Sequence, residues 1–327
     1  MTTRRSWLAG LVLAAAAAVA AVAVFRCSAD GPATIPVATQ PADLVRLAGG
    51  AQAGVPASAP ATQANSADAF RFIIVGDRTG GVQPGAWEAA VGEINLLRPD
   101  FAITTGDMVE GITENAEQIQ AEWKEFDRIT AGLEVPFFRC PGNHDVWGDA
   151  GRRIYTKLHG RDGRTYYSFD YRSCHFVVID SSMLMFNEDG VDRHWEWLQA
   201  DLKAARQAKH TFMFMHHPLY VDLVWPRLRA MLDVEKTTLF AGHWHQLTYG
   251  REQGAAFYVL GPTAARSAPE MERGLHPMYA HVSVSDGKPR VSIIPLGCIR
   301  PGEFNPRPPR EETSASAPAE PATVPAP

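Results

Sequence analysis

Asp77, Asp107, Asn143, His216, His243 and His245 are of types that bind divalent metals, and each stands just beyond a short apolar run. Phe70 to Val75 leads into Gly76-Asp77, and Phe101 to Thr105 into Gly106-Asp107. Val135 to Cys140 leads into Pro141-Gly142-Asn143-His144-Asp145, where Pro and Gly force a tight turn. Thr211 to Met215 leads into His216-His217-Pro218, and Thr238 to Ala241 into Gly242-His243-Trp244-His245. Carboxylates, an amide carbonyl and imidazoles are all metal donors. Two ions roughly 3.5–4 Å apart can lower the pKa of a shared water and clamp the entering and leaving oxygens of a displacement. Nitrogen donors mixed with carboxylate and amide oxygens suit Mn, Fe or Zn rather than Ca or a thiolate-selected metal. The ligand types do not choose among those three.

The runs are short and rich in branched or aromatic residues, as buried strands are. In α/β sheets the functional crevice lies beyond the carboxyl ends of the strands, so five strands would deliver two Asp, one Asn and up to four His to one edge. Trp87 to Leu97 reads as an amphipathic helix, with Trp87, Ala90, Val91, Ile94 and Leu97 on one face and Pro99 behind it. A second helix over Ala116 to Leu133 returns the chain for the Cys140 strand, completing the alternation of crossover units. Further on, a helix is expected from Gly151 to His159, a hairpin from Tyr166–Tyr171 and His175–Asp180, and a polar loop from Ser181 to Gly190. A helix from His194 to Lys209 and strands over Thr248–Gly250, Ala256–Leu260, Ala280–Val284 and Arg290–Pro295 complete the reading. His194 and His210 are expected at the surface or as caps, and His175, His276 and His281 as structural residues.

The order Gly-Asp, Gly-Asp, Gly-Asn-His-Asp, His-His-Pro, Gly-His-Trp-His resembles the calcineurin-like metallophosphoesterase superfamily, over about residues 69 to 300. That resemblance implies an α/β fold, a two-sheet β-sandwich flanked by helices, carrying two metal ions. It implies that Asp107 bridges both ions, that Asp77 and His245 hold the first, and that Asn143, His216 and His243 hold the second. His216 is preferred to His217 because the family pattern is His-x-Pro. A hydroxide between the ions would attack a phosphate mono- or diester. His144 would contact the phosphate or protonate the leaving oxygen, and Asp145 would orient His144.

One motif departs from the family. Its usual Asp-x-His is here Asp77-Arg78-Thr79, and Thr79 is a poor ligand. The first metal is then weak, completed by water, or supplied by another residue. Glu110, three residues after Asp107, is the candidate replacement, its plain alternative being a solvated loop acid. Arg78 either faces the phosphate through its planar donor fork, or is a plain surface arginine or one paired with an acid.

The termini differ in character. Residues 1–29 place Arg4-Arg5 before an apolar run from Leu8 to Phe25, as in an export signal of twin-arginine type or an uncleaved membrane anchor. Export, with a periplasmic location or attachment to the outer face of the inner membrane, is the expectation. Residues 30–68, with a short helix at Pro41 to Leu47, and 301–327 read as disordered. The formal net charge is −5, and removing residues 1–29 with Arg4, Arg5 and Arg26 takes it to −8. That balance carries no nucleic-acid footprint, while a small phosphate ester remains compatible with it because metal ions dominate the local field. Cys27, Cys140, Cys174 and Cys298 lack CxxC spacing, so inert thiols or one disulfide after export are expected. The rival to an enzyme is an exported phosphate- or partner-binding module on the same scaffold, which the missing histidine at Thr79 would favour.

Overall fold

A computed structural model of the chain describes residues 37–38, 68–221, 224–265 and 277–302. Two sheets face each other. In the first, β2 (Phe70–Val75), β3 (Phe101–Thr104) and β4 (Phe137–Phe138) run parallel, as strands joined by crossover helices must. The hairpin β11 (Met278–Ser285) and β12 (Lys288–Pro295) pairs antiparallel beside β2, giving the order β12-β11-β2-β3-β4. The second sheet runs β1-β5-β6-β7-β8-β10-β9, from β1 (Val37–Ala38) and β5 (Tyr167–Tyr171) to β9 (Thr248–Glu252). Its centre, β6 (Cys174–Val178), β7 (His210–Phe214), β8 (Thr237–Ala241) and β10 (Ala255–Val259), is parallel.

Side-chain alternation along each strand divides the interior into three clusters. Phe70, Phe72 and Ile74 of β2, with Phe101 of β3, face the opposite sheet, where they meet Phe169, Phe176, Phe212 and Phe240. Phe72 lies flat on Phe101 with ring centroids 5.1 Å apart, and Phe176 meets it edge-on at 5.5 Å. Ile73 and Val75 face outward against α1 (Ala86–Leu97) and α2 (Ala116–Thr130). The outer face of the second sheet is covered by α4 (Ser181–Phe186), α5 (Val191–Ala204) and α6 (Trp225–Arg229). The result is the α/β two-sheet sandwich flanked by helices that the motif order implied. Its geometry puts the carboxyl ends of β2, β3, β4, β7 and β8 at one edge.

Local chemistry sets the helix ends. Asn115 accepts the N–H groups of Glu117 and Gln118 at 3.0 and 3.2 Å and starts α2. Asp180 does the same for α4, accepting from Met183 N at 3.0 Å. The segment expected as a loop from Ser181 therefore opens with a helix, a correction traceable to this cap. Helix α3 (Gly148–His159) begins three residues before the expected Gly151. Val37–Ala38, expected within a disordered tether, pairs with β5. The remaining calls on residues 1–67, on His276 and on 303–327 lie outside the described residues. Cys140 and Cys174 are buried and Cys298 is exposed, all unpaired.

Two histidines expected near the surface are interior. His194 lies flat on Tyr166 at 3.8 Å, and His210 Nε2 meets Thr238 Oγ1 at 2.9 Å. A third, His175, is clasped on both nitrogens, by Asp170 at 2.6 Å and Asp201 at 2.9 Å. Burial opposes its charge, but the two carboxylates outweigh it and raise its pKa from 6.5 to about 9. A raised folded-state pKa means the imidazolium stabilises fully below pH 6.5 and loses that contribution as pH rises through 9. About 3 kcal/mol is at stake. Urea unfolding of the intact chain and of His175→Gln, repeated from pH 6 to pH 10, is expected to show a steeper decline in the former. Parallel profiles would exclude the clasp as its source.

Candidate metal centre

Four of the six candidate ligands have a backbone held in an uncommon shape. Asp77, Asp107, His243 and His245 have φ of 46°, 61°, 71° and 51°, the left-handed region that non-glycine residues seldom adopt. Such strain persists only where surrounding contacts over-determine it. Here Gly142 packs so closely on Asp107 that an added Cβ would lie 2.1 Å from Asp107 Oδ1 and 2.2 Å from its backbone nitrogen. No side chain fits between these two loops.

Asp107 Oδ2 lies 3.1 Å from His216 Nε2, and His243 Nδ1 lies 3.2 Å from that same nitrogen. The three form a group in which one donor atom from each lies within 4.8 Å of the others. His216 Nδ1 faces the Thr105 carbonyl at 3.0 Å, and a carbonyl only accepts, so Nδ1 carries the proton and Nε2 is turned inward. On the other side of Asp107, His245 Nε2 stands 3.5 Å from Asp77 Oδ1, with His216 Nδ1 4.0 Å from the same oxygen. Asp77 Oδ1 also accepts the His243 N–H at 3.0 Å.

The residues present fit a metal pair. Asp77 Oδ2 and Asn143 Oδ1 are buried oxygens with no hydrogen-bond partner, and buried acceptors are rarely left so. Burial opposes a charge on His216, yet Asp107 raises its pKa to about 9; burial likewise opposes the Asp107 carboxylate, which His216 lowers to about 2. Carboxylate and imidazole are thus arranged around a site that demands a cation. Asp107, His216, His243 and Asn143 would make one ligand set, and Asp77 and His245, with Asp107 shared, the other.

His217 stands beside the group and is not one of its three members. Ser181 Oγ accepts the backbone N–H groups of His216 and His217 at 3.1 and 2.9 Å and meets His217 Nδ1 at 3.2 Å. Burial, with the neighbouring His216 charge, lowers the His217 pKa to about 3. Ser181 was not singled out from sequence; its only signal was its position directly after the strand-end Asp180.

His144 is tethered by groups the sequence assigned elsewhere. Its Nδ1 lies 2.7 Å from the Glu110 carbonyl and 3.2 Å from Thr79 Oγ1, so Nδ1 donates and Nε2 is left free, 3.9 Å from Asp107 Oδ2. Thr79 thus serves the His144 ring. Glu110 contributes its backbone carbonyl, and its carboxylate lies 3.5 Å from Gly81 N and 4.0 Å from His144 Nδ1, outside the group formed by Asp107, His216 and His243.

Two roles need correcting. Asp145 does not orient His144. Its Oδ2 accepts Asp107 N and Gly142 N at 2.8 and 2.9 Å, and its Oδ1 accepts Met108 N and Val109 N at 2.8 and 3.2 Å. It is a buried clamp on the loops that carry Asp107 and Asn143. Burial and the Asp107 charge push its carboxyl up to about 7 against the pull of those amides, and a cation on Asp107 would remove the second cause. Arg78 does not face the site. It is buried, its Nη1 donating to Met108 O at 3.2 Å, its Nη2 pairing with Glu125 at 3.1 Å, and its guanidinium lying over Phe126. Arg78→Ala is therefore expected to cost about 1 kcal/mol in thermal unfolding, since Glu125 is solvated, and to change kcat less than about threefold. A hundredfold loss of kcat at unchanged Tm would return Arg78 to the substrate.

Comparison with known proteins follows the same lines. The calcineurin-like phosphoesterase family model matches residues 70–247. The chain belongs to the calcineurin-like phosphoesterases, a family that generally uses two metal ions. Among its relatives is the human serine/threonine-protein phosphatase CPPED1, 24% identical over 203 residues, covering 53% of this chain and 62% of that protein. Acid phosphatase type 7 of Danio rerio is 26% identical over 161 residues, covering 46% of this chain and 36% of its own length. The chain thus spans less than two thirds of the curated relatives it matches. Purple acid phosphatase from yellow lupin shares the fold with a TM-score of 0.52 at 16% identity, over 69% of this chain and 51% of that one. The anchor protein GAP50 of Plasmodium shares it with a TM-score of 0.55 at 16% identity, over 70% and 85%.

Proposed function

We propose that this chain is a dimetal hydrolase of phosphate mono- or diesters. The observation that carries the reading is the convergence of Asp107, His216 and His243, with the orphaned oxygens of Asp77 and Asn143 among the other proposed ligands. Mn, Fe or Zn bound there would acidify a water and neutralise charge on the phosphate. The chain's own residues do the rest. His216 is held by Thr105 with Nε2 inward, and Asp145 keeps the Asp107 and Gly142 backbones in register. His144, anchored through Nδ1, presents Nε2 at the edge of the group and in its protonated form can pass a proton to the departing oxygen.

The test is elemental analysis of the purified chain combined with a panel of mono- and diesters assayed with Mn, Zn and Fe. Two ions and turnover support the hydrolase. One ion and no turnover favour the rival, a phosphate- or partner-binding module, to which Thr79 in place of the family histidine gives its support. We place the activity outside the cytoplasm on the strength of Arg4-Arg5 followed by the apolar run Leu8 to Phe25. Recovery of the protein in the cytoplasmic fraction of its host would overturn that placement.

A further inference from the structure

Five of the large apolar side chains left in solvent belong to helix α4 and to the loops around the metal centre. Phe186, 60% exposed, stands edge-on to the His217 ring at 5.7 Å, and His217 in turn lies 4.4 Å from His243. Its neighbour Met185 is also exposed. Trp244, 42% exposed, sits between the proposed ligands His243 and His245, with the Tyr220 ring 6.3 Å away. On the His144 side of the centre, Ile112 is 52% exposed and donates its N–H to Glu110 O, the carbonyl that holds His144. Trp147, three residues after His144, is 46% exposed. Exposed apolar groups are unremarkable singly, but a set collected on one functional rim marks a binding surface.

Among the described residues, Arg78 and Arg152 are committed elsewhere. Arg78 is turned to Met108 and Glu125, and Arg152 is bound by Asp180 and Glu188. A substrate with several further anionic groups would meet aromatic faces where it needs guanidinium groups.

We propose that the rim formed by Ile112, Trp147, Phe186 and Trp244 selects phosphate esters with a large apolar ester group. This rests on the hydrolase reading and adds the substrate class. The phosphate lies over the ligand group while the alkyl or aryl substituent covers the Phe186 and Trp244 rings, removing apolar surface from water on both sides. No new bond chemistry is involved; the selection is made in binding.

The experiment compares methyl, butyl and octyl phosphate as soluble monomers, together with a nucleoside monophosphate and a phosphoserine peptide. Octyl phosphate is expected to exceed methyl phosphate roughly 10- to 100-fold in kcat/KM, mostly through KM. In Phe186→Ala and Trp244→Ala that ratio is expected to fall to within about threefold of unity. Leu158→Ser is the control: Leu158 is exposed near the far end of α3, roughly 15 Å along the helix from its start at Gly148, and its variant should keep the ratio. Calorimetric binding of methyl- and octylphosphonate to the same proteins gives a second readout that needs no turnover. A flat ester series, a preference for the nucleotide or the peptide, or a ratio untouched in both aromatic variants overturns the selection while leaving the hydrolase standing. Absence of all hydrolysis defeats the hydrolase reading, and the phosphonate affinities then decide the rim by themselves.

Discussion

Replacing His144 with alanine is expected to lower kcat by about 10²–10⁴-fold while both metal ions stay bound. The metals survive because the ring is not among their proposed ligands and because the contact His144 makes to Asp107 Oδ1 comes from its backbone N–H, at 2.9 Å, which alanine keeps. What alanine removes is Nε2, the nitrogen that the Glu110 carbonyl and Thr79 hydroxyl leave pointing toward Asp107. The size of the loss is also expected to depend on the leaving group. An alkoxide needs a proton as it departs, whereas nitrophenolate does not, so octyl phosphate should suffer more than p-nitrophenyl phosphate. Equal losses on both would make His144 a phosphate contact and no proton donor. Undiminished turnover of both esters, with metal content unchanged, would remove it from the mechanism.

Asp145→Asn is expected to be the most damaging isosteric change in the molecule. Each oxygen of Asp145 accepts two backbone N–H groups, so in either orientation the new amide nitrogen turns two more hydrogens toward a pair of donors. Two buried N–H groups then lose their acceptor, at a cost of about 4 kcal/mol in unfolding free energy. The damage falls where it matters for binding, because the donors are Asp107, its two successors and Gly142, next to Asn143. Metal affinity is expected to drop at least tenfold, with activity partly restored by excess metal. A variant that unfolds like the parent and holds two ions at the same free-metal concentration would show that the clamp is dispensable. Asp145→Glu, which keeps the charge but lengthens the reach, distinguishes loss of acceptors from loss of charge.

The polar residues at strand ends were legible because of a simple regularity. A parallel sheet aligns its carboxyl termini, so Asp77, Asp107 and Asn143, and His216 and His243, share an edge once the runs before them are recognised as strands. Helix α1 was equally readable, since Trp87, Ala90, Val91 and Ile94 repeat with the helical period and are buried. His194 and His210 were not. His194 stacks on Tyr166, a residue 28 positions earlier, and His210 bonds Thr238, 28 positions later, on a neighbouring strand. Partners that distant leave no mark in the local pattern.

By itself, the amino-acid sequence determined the ligand types, their order along the chain and the strand–helix alternation that brings them to one edge, because periodicity and strand direction are local properties. Only the tertiary structure decided what each remaining polar group bonds to. Arg78 was as suited to a phosphate as to Glu125, and Asp145 as suited to an imidazole as to four amides. Thr79 and the Glu110 carbonyl hold His144 from loops 65 and 34 residues away. A side chain's type states how many hydrogen bonds it can make; which ones it makes depends on which loops the closed sheets press together.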